Sequence, residues 1–224
     1  SQKEPRLKRT KTGNSNRMMA GKKFPLTLGL KAAANELVVL TDADCYPATN
    51  QWLKQVVSGY ATDDKAIVLG YGAYEKKPGR LNRRIRYETF LTALNYLSFA
   101  LAKLPYMGVG RNLSYQKGLF FSTNGFFDHR QIPSGDDDLF INKVATKRNT
   151  EIVISPDAFT YSPPKETREE WIEQKTRHMS TARYYRAKHK FWLALQPISH
   201  ILFWITSLYL LATVFVYWYI VAAA

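Results

Sequence analysis

The feature that most constrains this chain is its last stretch, Ile201–Ala224, "ILFWITSLYLLATVFVYWYIVAAA", which carries no charged residue. As a helix, 24 residues rising about 1.5 Å each would span roughly 36 Å, enough for a bilayer core of about 30 Å. Phe203, Trp204, Tyr217, Trp218 and Tyr219 lie toward its two ends, as interfacial aromatics do. A very apolar buried core helix is the competing reading. Pro197 marks the expected helix start. Upstream, Gln174–Trp192 mixes basic and aromatic residues, the pattern of an amphipathic surface helix. Positive charge on that flank predicts that it faces the cytoplasm.

The rest of the chain reads as alternating strands and helices, hence α/β. Helical patterns are expected from Gly21 toward Ala34, over Trp52–Tyr60, over Asn82–Leu104 and from the acidic run at 136–138, with Ser134 or Asp136 as its cap. Strands are expected at Leu37–Leu40, Ala66–Tyr74, within Tyr106–Lys117 and at Glu151–Phe159. The expected organisation is a basic loop-like segment at 1–20, a catalytic-type domain at 21–173, an interfacial region at 174–196 and a membrane helix at 197–224.

Charge narrows the partners. The 224-residue chain has 32 Lys and Arg against 18 Asp and Glu, a formal net charge of +14. Such a balance favours an anionic partner: a phosphorylated substrate, anionic lipid or nucleic acid. Residues 1–31 hold nine of the cations and one acid, Glu4. The first block has no secretory apolar core, so it is no signal peptide. With one cysteine, Cys45, a disulfide framework and a Cys-based metal site within the chain are excluded.

Against this background two acidic motifs stand out. The apolar run Leu37–Leu40 ends in Asp42-Ala43-Asp44. Parallel strands place ligands just beyond their carboxyl ends, and extended geometry would point both carboxylates to one side. Two carboxylates there suit Mg²⁺ or Mn²⁺ shared with substrate phosphates; a solvated turn is the plain alternative. The second motif is Asp136-Asp137-Asp138. Clustered carboxylates raise one another's pKa, which suits a general base, while a helix start also favours acids. Gln174, Arg177 and His178 form "QKTRH", where the Arg could hold a diphosphate or lie on anionic lipid. Gly108, Gly110 and Asn112 in "GVGRN" lack the spacing of a dinucleotide fingerprint.

Taken in order, "GKKFPLTLGLKAA", "LTDADCYP", "GVGRNLSY", "GDDDLFINK" and "QKTRH" resemble the motifs of family 2 glycosyltransferases, especially the membrane-attached ones related to cellulose and hyaluronan synthases. The resemblance runs from about Gly21 to His178 and includes the following span. It departs from the family pattern at Thr27, where Asn is usual, at the triple Asp, where Glu-Asp is usual, and at His178, where Trp is usual. It implies a GT-A-type (Rossmann-like) nucleotide-sugar-binding domain that lacks its first strand-helix unit, and sugar transfer from a nucleotide-sugar to a lipid or carbohydrate acceptor in one inverting step at the cytoplasmic membrane face. Asp44, with Asp42, would hold Mg²⁺ or Mn²⁺. Asp42 could instead reach the ribose. Asp137 would be the base, with Asp136 or Asp138 as alternatives. Lys22, Gly110, Asn112, Gln174, Arg177 and His178 would contact substrate. No nucleic acid partner is expected. Three other readings compete: a truncated pseudoenzyme, a non-catalytic binder driven by charge, and a haloacid dehalogenase-type phosphatase, which also places Asp-x-Asp after an apolar strand.

Overall fold

The computed structural model describes residues 19–223, so all but the last two positions of the basic segment expected at 1–20 lie outside the described residues. The chain forms two compact units, divided between Tyr185 and Arg186.

The first unit is α/β. Its elements are α1 (Lys23–Ala32), β1 (Leu37–Leu40), β2 (Tyr46–Pro47), α2 (Trp52–Ser58), β3 (Ile67–Gly70), β4 (Gly72–Tyr74), α3 (Arg80–Leu101), β5 (Leu113–Gln116), α4 (Lys117–Ser122), α5 (Asp138–Val144), β6 (Thr150–Val153), β7 (Thr160–Ser162) and α6 (Arg168–Met179). The main sheet has the order β1-β5-β3-β6. β3 runs parallel to β6 and antiparallel to β5, and β5 runs antiparallel to β1. β1, β3 and β6 therefore point the same way, and among the described residues β1 and β6 are the two edges. A smaller sheet has the order β2-β7-β4, and its strands interleave along the chain with those of the main sheet.

Apolar periodicity explains most of this. β3 is buried at all four positions, as a central strand covered on both faces should be. Val56 of α2 packs with Val68, Val153 and Ala158, and Val39, Trp52 and Tyr60 close the edge of that cluster. On the other side Tyr115, Phe120, Phe126 and Phe140 pack ring against ring at centroid separations of 4.8–6.2 Å. α3 turns Ile85, Ala93, Tyr96, Leu97 and Ala100 inward. The Tyr96 hydroxyl donates to the Gly70 carbonyl at 2.6 Å.

Several expectations need correction. Ala66–Tyr74 is not one strand: the chain breaks at Tyr71 and its two halves join different sheets. The break is made where Asn112 pulls on the Tyr71 carbonyl at 3.0 Å. The strand within Tyr106–Lys117 is only its last part, β5, and the strand at Glu151–Phe159 ends at Val153. The cap of α5 is neither Ser134 nor Asp136 but Asp137, whose carboxylate accepts from the Asp138 N–H.

The second unit is one helix, α7 (Ala187–Ala223). It starts ten residues before the expected Pro197 and carries that proline inside it. Long apolar helices tolerate proline where other groups satisfy the freed carbonyl. The region 174–196 is accordingly not one helix: α6 stops at Met179, and Tyr185 is extended before α7 begins. Ala187–Tyr219 is long and apolar enough to cross a membrane, by length and composition, and its hydrophobic side chains are exposed.

Candidate active site

The site is built at the carboxyl end of β1. The strand does not stay extended through Asp42 and Asp44. Instead the Cys45 N–H donates to the Asp42 carbonyl at 3.0 Å, closing a tight turn. This turn gathers what period-two spacing would have gathered: one ligand atom each of Asp42, Asp44 and Cys45 lies within 4.8 Å of the others. Two carboxylate oxygens at that separation suit a hard divalent ion. The Cys45 thiol does not add to such a site. Burial raises its pKa, as Asp42 and Asp44 do, against its hydrogen bond with Thr41, and soft sulfur is a poor ligand for a hard divalent ion.

Lys22 reaches into this turn from the start of α1 and pairs with Asp42 at 2.5 Å. Desolvation works against its charge. The hydrogen bond to Asp42 and the pull of Asp42, Asp136 and Asp137 outweigh it, so its pKa is raised. Lys22 thus links the two acidic motifs electrostatically. Gly21 makes the approach possible: its φ is +67°, and a Cβ there would lie 2.1 Å from the Pro133 carbonyl oxygen. Lys23 is buried, and its ammonium donates to the Ile132 and Ser134 carbonyls at 2.6 Å each. It pins the loop that delivers the acidic triad.

The three acids have different surroundings. Asp138 is buried, and its carboxylate accepts from Thr181 Oγ1, from the Tyr185 hydroxyl at 2.8 Å and from the Leu139 N–H at 2.8 Å. Asp137 accepts from the Gly110 N–H at 2.7 Å and the Asp138 N–H at 2.8 Å. Burial and the charge of Asp138 push Asp137 up to about 6, against the hydrogen bonds from Gly110 and Asp138. Asp136 is only half-buried; desolvation and Asp137 raise its pKa, while its own N–H, Lys22 and Lys23 oppose the rise. Among the described residues, Asp136 is therefore the member of the triad whose carboxylate is held by no other side chain and by no other residue's N–H.

Asn112 corrects the sequence expectation. It is buried; its Oδ1 accepts from Trp52 Nε1 at 3.2 Å, and its Nδ2 donates to the Tyr71 and Ala158 carbonyls at 3.0 and 2.7 Å. That amide is spent on the fold and has no group left for a substrate. Gly70 makes room for it, since a Cβ there would lie 2.6 Å from the Asn112 amide. Asn112→Ala would leave Trp52 Nε1 and the Ala158 carbonyl without this partner, each worth about 1–3 kcal/mol, while the Tyr71 carbonyl keeps the Thr160 N–H. The expected result is a thermal midpoint lower by roughly 5–15 °C with the affinity for Mn²⁺ unchanged, read by melting with and without the ion.

Gly110 contributes its N–H to Asp137 rather than a contact surface. Gln174 Nε2 donates to the Tyr74 hydroxyl at 3.1 Å. Arg177 and His178 are exposed on the last turn of α6. The His178 pKa is lowered by desolvation, then by Arg177, Arg111 and Lys175, with Asp42 opposing. Asp42 and the "QKTRH" motif thus lie within electrostatic range of each other, although more than 130 positions separate them in sequence. Arg111 escaped the sequence reading. Its guanidinium lies 4.3 Å from the Tyr74 ring centroid and donates to the Ala73 carbonyl and Ser162 Oγ at 3.2 Å. Its charge reaches Cys45 and His178. The signal is present in the sequence, since Arg111 stands between Gly110 and Asn112 of "GVGRN".

No family model matches the chain, and no curated protein matches it significantly. Among solved structures it is similar to the mannosyltransferase PcManGT from Pyrobaculum calidifontis in complex with GDP-Man and Mn²⁺, with 23% identity and a TM-score of 0.48 over 67% of this chain and 39% of that one. It is similar to residues 1–349 of TarS from S. aureus, with 16% identity and a TM-score of 0.42 over 64% of this chain and 40% of that one. It is also similar to mannosyl-3-phosphoglycerate synthase from Rubrobacter xylanophilus, with 16% identity and a TM-score of 0.42 over 76% of this chain and 53% of that one. The chain spans 39% to 53% of the length of these structures.

Proposed function

We propose that this chain carries the nucleotide-sugar site of a divalent-metal-dependent, inverting glycosyltransferase of family 2 type, working at the cytoplasmic face of a membrane. The observation that carries the reading is the turn that gathers Asp42 and Asp44 at the end of β1, tied through Lys22 to the acids at the start of α5. Asp44 and Asp42 would hold Mg²⁺ or Mn²⁺. Bound there, such an ion would neutralise charge on the diphosphate of the departing nucleotide.

The chain's own residues supply the remaining roles. Lys22 adds a positive charge beside the phosphates, and Arg177 offers a forked set of donors for the leaving diphosphate. Asp136 takes the proton from the acceptor hydroxyl as that oxygen attacks the anomeric carbon. Burial and the neighbouring Asp137 raise its pKa, which makes it a stronger proton acceptor than an ordinary surface carboxylate. Asp137 holds the Gly110 backbone against the start of α5, and Asp138 anchors the segment after α6 through Thr181 and Tyr185. His178 and Gln174 border the acceptor side.

The test is a panel of nucleoside diphosphates and nucleotide-sugars added to the detergent-solubilised chain, with Mn²⁺ or chelator, read as a melting shift. A ligand at about 100 times its Kd stabilises by about 2.7 kcal/mol. A shift of several degrees for one nucleotide, present only with metal, is the expected result. Absence of a shift with every member of the panel would sink the reading.

A further inference from the structure

The outward face of α3 has no role in the proposed site. Its exposed positions are Arg80, Arg83, Arg84, Tyr87, Phe90, Leu91, Thr92, Leu94, Ser98 and Leu101. Five of these are large apolar groups, with Tyr87 63% and Leu94 52% exposed. At 100° per residue they fall within one stripe along the helix, opposite the buried Ile85, Ala93, Tyr96 and Ala100. Cations stand at both ends, Arg80 and Arg83 before the apolar positions and Lys103 just after them.

A contiguous exposed apolar face is a contact surface rather than chance. Its chemistry distinguishes the occupant. A second protein would be met by an apolar patch rimmed by groups of both signs. An interfacial helix instead combines aliphatic and aromatic side chains with flanking cations, which meet acyl chains and anionic headgroups respectively. The exposed charged residues of α3 are Arg80, Arg83 and Arg84, and Glu88 beside them is half-buried and paired with Arg84 and Lys175, in a chain whose net charge is +14. The chain also continues from Tyr185 directly into a helix long enough to span a bilayer, so a lipid surface is always within reach of the first unit. We infer that the outer face of α3 docks in the plane of an anionic membrane surface, with Tyr87, Phe90, Leu91, Leu94 and Leu101 in the acyl boundary and Arg80, Arg83 and Lys103 at the headgroups. This rests on α7 being a membrane span and does not depend on the glycosyltransferase reading.

The experiment uses the full chain in nanodiscs containing phosphatidylglycerol, with Cys45→Ser so that a bimane label has one target. Labels are placed singly through Leu94→Cys on α3, Leu210→Cys on α7 and Lys54→Cys on α2, and each is challenged with doxyl-labelled lipid. The expected result is at least a twofold loss of intensity at 94 and at 210, with little at 54. The loss at 94 should fall when phosphatidylcholine replaces the anionic lipid. Quenching at 210 without quenching at 94 would overturn the docking of α3 while leaving the span in place. No quenching at 210 would remove the span and the inference with it. Self-quenching between two copies labelled at 94, without lipid quenching, would assign the face to a second copy and overturn the lipid proposal.

Discussion

Asp136→Asn leaves donor binding intact and lowers sugar transfer by about 10²–10⁴-fold, the range that a positioned general base contributes. The substitution keeps shape and removes only the ability to take a proton. The three acids are one residue apart, yet they are not equivalent. Asp138 is locked by Thr181, Tyr185 and the Leu139 N–H, and Asp137 caps α5 and receives the Gly110 N–H. An Asn can cap a helix about as well as an Asp but offers one acceptor oxygen where Asp137 uses two, so Asp137→Asn should lower the melting midpoint and cost less in rate than Asp136→Asn. The reverse ranking, with Asp137→Asn inactive and Asp136→Asn active, would return the base to Asp137. The pH profile adds an independent check. Desolvation and Asp137 raise the Asp136 pKa, and a base works only when ionised. The rate should therefore climb with pH along a limb placed above the ordinary carboxylate range, and that limb should vanish in Asp136→Asn.

Asp44→Ala abolishes metal-dependent donor binding, the second large effect. Even an outer partner of a metal ligand typically costs about 10–100-fold in affinity when removed. Here the two carboxylates of the turn are the chain's oxygen donors in the cluster, so losing one should exceed that range. The measurement is the Mn²⁺-dependent melting shift with the nucleotide found in the donor panel. Retention of the full shift in Asp44→Ala would mean that the ion, if bound, sits elsewhere. Asp42→Ala is the less clean variant, because it also releases Lys22.

Much of this was legible in the sequence because it is local. The run Leu37–Leu40 is a strand, Trp52–Tyr60 and Asn82–Leu104 mark helices within a few residues of α2 and α3, and the uncharged C-terminus lies in a long exposed helix. What periodicity could not reach depends on contacts between distant segments. Asn112 reads as a polar residue in a glycine-rich approach, and only the positions of Trp52, Tyr71 and Ala158 make it a buried clasp. Thr181 and Tyr185 lie 43 and 47 positions from Asp138, in a segment that reads as basic and aromatic. Asp42 and Asp44 come close to each other through a turn and not by strand alternation.

The placement of β1 at the edge of its sheet has a thermodynamic consequence. One side of this strand is hydrogen-bonded to β5; its other side is a row of backbone donors and acceptors that a further strand could complete. The turn proposed to hold the ion is the direct continuation of that strand. Edge pairing and ion binding therefore act on one short piece of backbone. Coupling between two such events is reciprocal: whatever zips onto β1 and stiffens it would tighten the grip on the ion, and loading the ion would strengthen the zipping by the same factor.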